Sequence, residues 1–188
     1  YNAGNTKSVE NALLRIGIQP TITDDIEKII KADKVIFPGV GHAQPTMQYL
    51  IERQLDKVIK QLKQPVLGIC LGQQLMCAHS EEGNVDGLNI FPVQVKKFCS
   101  EDIQYKIPQM GWNSIHLLKT PIFKDISENS FVYFVHSYYC EMSEHTNATC
   151  DYLIPFSAAL QKDNFYAVKF HPEKSADVGK KILQNFIE

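Results

Sequence analysis

The stretch Gly68-Ile69-Cys70-Leu71-Gly72 places a thiol between two glycines. The form G-x-C-x-G is the cysteine counterpart of the G-x-S-x-G elbow, in which a nucleophile rides a sharp strand-to-helix turn. Flanking glycines avoid clashes in that tight backbone, a helix starting behind the thiol favours the thiolate through its dipole, and the Leu71 N–H is a natural oxyanion donor. A buried core cysteine between two chance glycines has the same letters. A nucleophilic thiol needs a base, and the base needs an orienting group. His171-Pro172-Glu173 offers both: in an extended backbone residues i and i+2 share a side, so Glu173 can accept from one imidazole nitrogen while the other turns to Cys70. By itself His171 reads more readily as a hydrogen-bonded surface histidine. In Pro38-Gly39-Val40-Gly41 the glycines allow a peptide, at Val40, to turn its N–H toward a developing oxyanion. A plain strand-ending turn is the competing reading, and a lone G-x-G is too weak to imply a dinucleotide.

The elements that must position these groups follow from periodicity. Val9, Ala12, Leu13 and Ile16 form an apolar stripe at i, i+3, i+4 and i+7, predicting a helix over 6–16 that stops at Gly17. Asp24 and Asp25 begin a short helix reaching Lys31, and Lys34-Val35-Ile36-Phe37 is a strand ended by Pro38-Gly39. Residues 47–62 read as one longer helix, 65–70 as a buried strand, and 71–79 as the helix behind the elbow. Strands alternating with helices indicate a parallel sheet. After Gly83 the texture turns to short alternating segments (90–98, 103–107, 113–117, 131–136, 158–162, 165–170) that read as antiparallel or mixed strands, and Val178, Ile182, Leu183 and Phe186 mark a final helix over 175–187. The expectation is an α/β fold: one domain over 1–188, a central, mostly parallel sheet flanked by helices, and a β-rich antiparallel second half. His171 then falls at a strand end, where such sheets carry their catalytic groups.

The 188 residues are 44% hydrophobic and 21% charged, with 19 Lys+Arg against 21 Asp+Glu. That is enough for a sizeable core, and no basic stripe or interleaved Arg and aromatic run points to nucleic acid. The longest apolar runs are of strand length, short of the roughly 18–20 residues of a membrane span. Five cysteines (70, 77, 99, 140 and 150), with no C-x-x-C and no zinc-site spacing, fit free thiols in a reducing cytoplasm. The sequon Asn147-Ala148-Thr149 is then incidental.

Gly-Ile-Cys-Leu-Gly-Gln-Gln-Leu (68–75) with Phe-His-Pro-Glu-Lys-Ser (170–175) resembles class I, triad-type glutamine amidotransferases. The stretches 38–41, Pro108-Gln-Met-Gly-Trp-Asn113, Tyr133-Phe-Val-His-Ser-Tyr-Tyr139 and Lys174-Ser175 narrow the resemblance to the glutaminase subunits of imidazole glycerol phosphate synthases. The resemblance implies Cys70 as nucleophile, His171 as general base and acid, and Glu173 as orienting carboxylate. It implies glutamine as substrate, held by Gln74, Glu82, Ser137 and Tyr138 with Gly39 and Gly41 of the oxyanion loop, and it implies no cofactor or metal. It further implies a (β/α)8-barrel cyclase partner that uses the ammonia to make imidazole glycerol phosphate and aminoimidazole carboxamide ribotide in histidine biosynthesis. Asn5, Trp112, Tyr133 and Lys174 match positions near that interface, and the loop at 38–41 is of the kind activated by the partner's ligand, so weak basal glutaminase activity is expected.

Two positions depart from the pattern. Asn2 stands where the family usually has glycine, and Gln109 where it usually has histidine; both are expected on the partner side. A paralogous subunit supplying ammonia for sugar amidation in surface-glycan pathways, or an idle regulatory homologue, remain alternatives at this point. Because 1–5 matches the loop after the family's first strand, about six to eight residues of initial strand are expected to precede Tyr1.

Overall fold

The computed structural model describes residues 6–102 and 104–188; the expectations for Asn2 and Asn5 lie outside them. The buried run 66–70 becomes β2 (Val66–Cys70), every residue of which is buried. It pairs in parallel with β1 (Val35–Gly39) on one side and with β11 (Phe165–Val168) on the other. Beyond β11 the sheet turns antiparallel through β10 (Ile154–Lys162) and β9 (Thr146–Tyr152), giving the order β1-β2-β11-β10-β9. A central strand with two parallel neighbours needs apolar cover on both faces, which is why it reads as a continuous hydrophobic run rather than an alternation.

That cover comes from two clusters. On one face α1 (Thr6–Arg15) and α6 (Ala176–Ile187) bring Val9, Ala12, Leu13, Ile182, Leu183 and Phe186 against Leu67 and Ile69. On the other α3 (Ala43–Glu52), α4 (Leu55–Gln61) and α5 (Leu71–Met76) bring Met47, Leu50, Leu55, Ile59 and Leu75 against Val66 and Ala167. Each large aliphatic side chain buried this way contributes about 1.5–3 kcal/mol. The short α2 (Ile26–Lys31) is capped by the Asp25 carboxylate, which accepts from the N–H groups of Glu27 and Lys28.

A second sheet has the order β4-β3-β5-β8, from β3 (Cys77–Ser80), β4 (Val85–Asp86), β5 (Phe91–Lys97) and β8 (Tyr138–Cys140). A separate ribbon pairs β6 (Gln109–Ile115) with β7 (Ser130–His136).

Several expectations need correction. The helix expected over 47–62 is two helices, because Gln54 takes a left-handed φ of 58° and breaks the run. The helix behind Cys70 ends at Met76, and 77–79, expected to be helical, belong to a strand, Cys77–Ser80, that pairs with β4 and β5. β1 does not stop before Pro38-Gly39 but runs through it, with Gly39 in register beside Cys70. Residues 104–107 form no strand.

Candidate active site

Cys70 closes β2 and directly precedes α5, with φ 55° and ψ −105°. A non-glycine residue in that region costs about 1–3 kcal/mol and persists only where its surroundings over-determine it. Here they do. The ladders of β1 and β11 clamp β2 from both sides, and a Cβ at position 72 would overlap the Phe37 carbonyl oxygen, while one at 68 would lie 2.6 Å from Met76 Sδ. Gly68 and Gly72 are therefore required by close approach, as the elbow pattern demands.

His171 follows β11 by three residues and is buried, 1% exposed, as is the Glu173 side chain at 0%. Its Nδ1 lies 2.7 Å from Glu173 Oε1. The route to this contact differs from the extended i, i+2 pattern: Pro172–Lys174 forms a 3-10 turn, and the turn folds the carboxylate back onto the ring. Ser175 pins it, its Oγ donating to the His171 carbonyl (2.6 Å) and accepting from the Tyr133 N–H (2.9 Å), while the His171 N–H donates to the Tyr133 carbonyl. Gly179 lets α6 close over the turn, since a Cβ there would overlap the Pro172 carbonyl oxygen.

Cys70 and His171 line one cavity, and each shifts the titration of the other. Burial pushes the Cys70 thiol up, but the Lys169 ammonium, then the hydrogen bond and charge of His171, outweigh it and hold the thiol below its ordinary value. Burial alone would push His171 down; the bonds to Cys70 and Glu173 reverse this and raise it from 6.5 to about 9. Both shifts move the pair toward thiolate and imidazolium. The six-residue α5 is too short for its dipole to be the main cause, so the thiol's acidity comes from Lys169 and His171.

A cavity of about 180 Å³ opens over this pair, lined by Val40, Gly41, Cys70, Leu71, Gln74, Glu82, Val135, His136, Ser137, Tyr138, Lys169 and His171. It gathers most of the residues expected to hold substrate or an oxyanion. Gly39 is the exception, lying beneath the cavity in the strand, and Glu173 stands behind His171. Gly41 has φ +113° and open space around its Cα, so the 38–41 loop has room to reorient a peptide. Gln74 and Glu82 are joined: Gln74 Nε2 donates to Glu82 Oε2 (2.8 Å) and Ser80 Oγ (2.9 Å), and Glu82 Oε2 also accepts from the Ala43 N–H (3.0 Å). A larger groove of about 410 Å³ lies on the far side of the His-Pro-Glu turn, between α1 and α6, and contains no cysteine.

Sequence reasoning missed Lys169, Ser80 and Ser175. Lys169 had a signal, being the one charged residue in 165–170, inside an otherwise apolar strand. Gln109, expected toward the partner side, is buried, and its carboxamide lies 2.8 Å from Nε2 of His136, which lines the cavity. His136 is held well below its ordinary value by burial, then by Lys169, and is neutral. Trp112 is not a core residue but 52% exposed. It pairs across the ribbon with Tyr133, ring edge to face at 6.0 Å, and Lys174 Nζ sits 5.9 Å from the Tyr133 ring. Three of the four expected interface residues thus share one face, with exposed Met110 and Phe131 beside them.

The class-I glutamine amidotransferase family model matches residues 1–188. The HisH subunit of imidazole glycerol phosphate synthase from Bacteroides fragilis is 58% identical over 188 residues, covering 100% of this chain and 96% of the relative. The HisH subunit from Pasteurella multocida is 50% identical over 185 residues, covering 98% and 92%. Among solved structures, a GMP synthase-type protein from Thermoplasma acidophilum superposes with a TM-score of 0.76 at 21% identity, covering 100% of this chain and 89% of that one, a likeness of fold. With the elbow, the turn and the cavity in place, these matches over the full chain mean that it belongs to the class-I glutamine amidotransferase family and, within it, to the HisH branch.

Proposed function

We propose that this chain, as one domain, is the glutaminase subunit of an imidazole glycerol phosphate synthase, releasing ammonia from glutamine through Cys70, His171 and Glu173. The observation that carries the reading is the elbow thiol sharing one cavity with an imidazole whose Nδ1 lies 2.7 Å from a buried carboxylate. In this mechanism the Cys70 thiolate attacks the side-chain carboxamide carbon of glutamine. The oxyanion is met by the N–H groups of Leu71 and of the 38–41 loop. The tetrahedral adduct collapses as His171 gives its proton to the departing nitrogen, leaving a thioester and ammonia. His171, now neutral, takes a proton from water, whose hydroxide attacks the thioester and frees glutamate and the thiolate. An imidazole raised to about 9 is protonated near neutral pH and suited to the donor step.

Glu82, with one oxygen engaged by Gln74 and Ala43, is the carboxylate for the substrate ammonium; Ser137 and Tyr138 meet the other end. Ammonia free in water becomes mostly ammonium, a poor nucleophile, so it is handed to a barrel cyclase docked on the Trp112, Tyr133 and Lys174 face. Val135, on the same exposed face of β7, also lines the cavity and offers its carbonyl to Cys70 Sγ at 4.0 Å, which supports a docking face continuous with the site. The five free cysteines suit a cytoplasmic setting, and no helix among the described residues is long and apolar enough to cross a membrane.

The test is reconstitution with the cyclase subunit. Cys70→Ala should abolish glutamine-dependent synthesis of imidazole glycerol phosphate and keep synthesis driven by added ammonium. Full glutamine-dependent synthesis by Cys70→Ala would favour an idle regulatory subunit instead.

A further inference from the structure

Lys169 is 2% exposed and stands between β11 and His171, its backbone N–H donating to the Ala158 carbonyl at 2.8 Å. Lysine is almost never fully buried without a compensating partner, because desolvating an ammonium is costly. Its Nζ donates to Gln74 Oε1 at 3.2 Å and it lines the same cavity as Cys70. An ammonium can only donate and a carboxylate can only accept. Gln74 is held between one of each: Lys169 on its oxygen and Glu82 on its nitrogen. Glu82 settles which way round the carboxamide lies, and Lys169 holds its oxygen end in place, a bond that an apolar neighbour at 169 cannot make.

We propose that Lys169 is a positioning residue of this site, whose ammonium orients Gln74, and through it Glu82, for the substrate and places a fixed positive charge beside the Cys70 thiolate. This rests on the glutaminase reading above. The carrying observation is the chain Lys169 Nζ to Gln74 to Glu82 to the Ala43 N–H, which links the substrate-holding carboxylate to a cation in the same cavity as the nucleophile. The titratable groups that act on the thiol are Lys169, His171 and, behind it, Glu173, and Glu82, His136 and Tyr138 line the same cavity. Those whose titration Lys169 itself depresses also include Cys77 at the far end of α5 and His136 on β7, so its charge is felt across the cavity floor.

The experiment compares the parent chain with Lys169→Met, which keeps length and loses charge, and with Lys169→Gln as a second variant should the first fail to fold. Two readouts are taken: KM and kcat for glutamine in the reconstituted complex, and the pH profile of Cys70 alkylation by iodoacetamide, followed by peptide mass. The expected result is a KM about tenfold higher with a smaller change in kcat, and an alkylation midpoint about one pH unit higher, a tenfold loss of rate below it. A parent-like KM or a parent-like alkylation profile overturns the proposal, and so does a fall in kcat alone, which is what loosened packing produces. The alkylation profile is read on Cys70 without turnover. A Cys70→Ser chain that still releases glutamate defeats the proposed function, while the profile continues to judge Lys169.

Discussion

Replacing Glu173 by Gln isolates the group that sets the imidazole. The carboxylate is 0% exposed and its oxygen lies 2.7 Å from His171 Nδ1, so the substitution keeps the shape and removes the charge. Hydrogen bonds to charged groups contribute about 1.5–3 kcal/mol, and one pKa unit is about 1.4 kcal/mol, so His171 should fall by roughly one to two units. From about 9 in the parent it returns toward the ordinary histidine range without reaching it, because the interaction with Cys70 still opposes burial. The assay is an NMR titration of ring carbons. Of six histidines, the resonance titrating near 9 is assigned by its disappearance in His171→Asn. In Glu173→Gln that resonance should move down and the alkaline limb of glutaminase activity should move with it. A resonance that titrates where the parent's does refutes the account of Glu173 as the orienting carboxylate.

Because His171 is raised from 6.5 to about 9 on folding, its contribution to stability is fully present below pH 6.5 and is lost as pH rises through about 9; urea unfolding across that window should show the decline, and Glu173→Gln should flatten it. Gly72→Ala forces a Cβ onto the Phe37 carbonyl oxygen, so a loss of about 1–3 kcal/mol or more is expected in urea midpoints, together with lost activity as the elbow shifts. Trp112→Ala should leave the chain's own stability within about 0.5 kcal/mol, the side chain being exposed, yet weaken cyclase binding by about 2 kcal/mol in calorimetry. Native alkylation should label Cys70 and exposed Cys99 and spare Cys77, Cys140 and Cys150; burial pushes the Cys150 thiol up to about 12, and early labelling of these three by mass spectrometry would contradict the packing described.

Residue type and spacing by themselves determined the elbow, the His-x-Glu pair and the apolar run that leads into the elbow, because each is local: two glycines around a thiol can be read without knowing what they approach. They determined the order of helices and strands through β2, apart from the break at Gln54, for the same reason, since amphipathic period is a property of a short window. What failed was the part decided by distant partners. The helix behind Cys70 stops at Met76 because 77–80 finds strands β4 and β5. Gln109 turns inward because His136, which lines the cavity, waits there. Trp112 turns outward because β6 alternates, with its other face packed on the core. Lys169 is the clearest case. As a letter it is a lysine in an apolar strand; only tertiary structure, by bringing β11 beside β2 and α5, sets its ammonium against Gln74 and next to the thiol. Charge interactions depend on distance and burial, and neither is written along the chain.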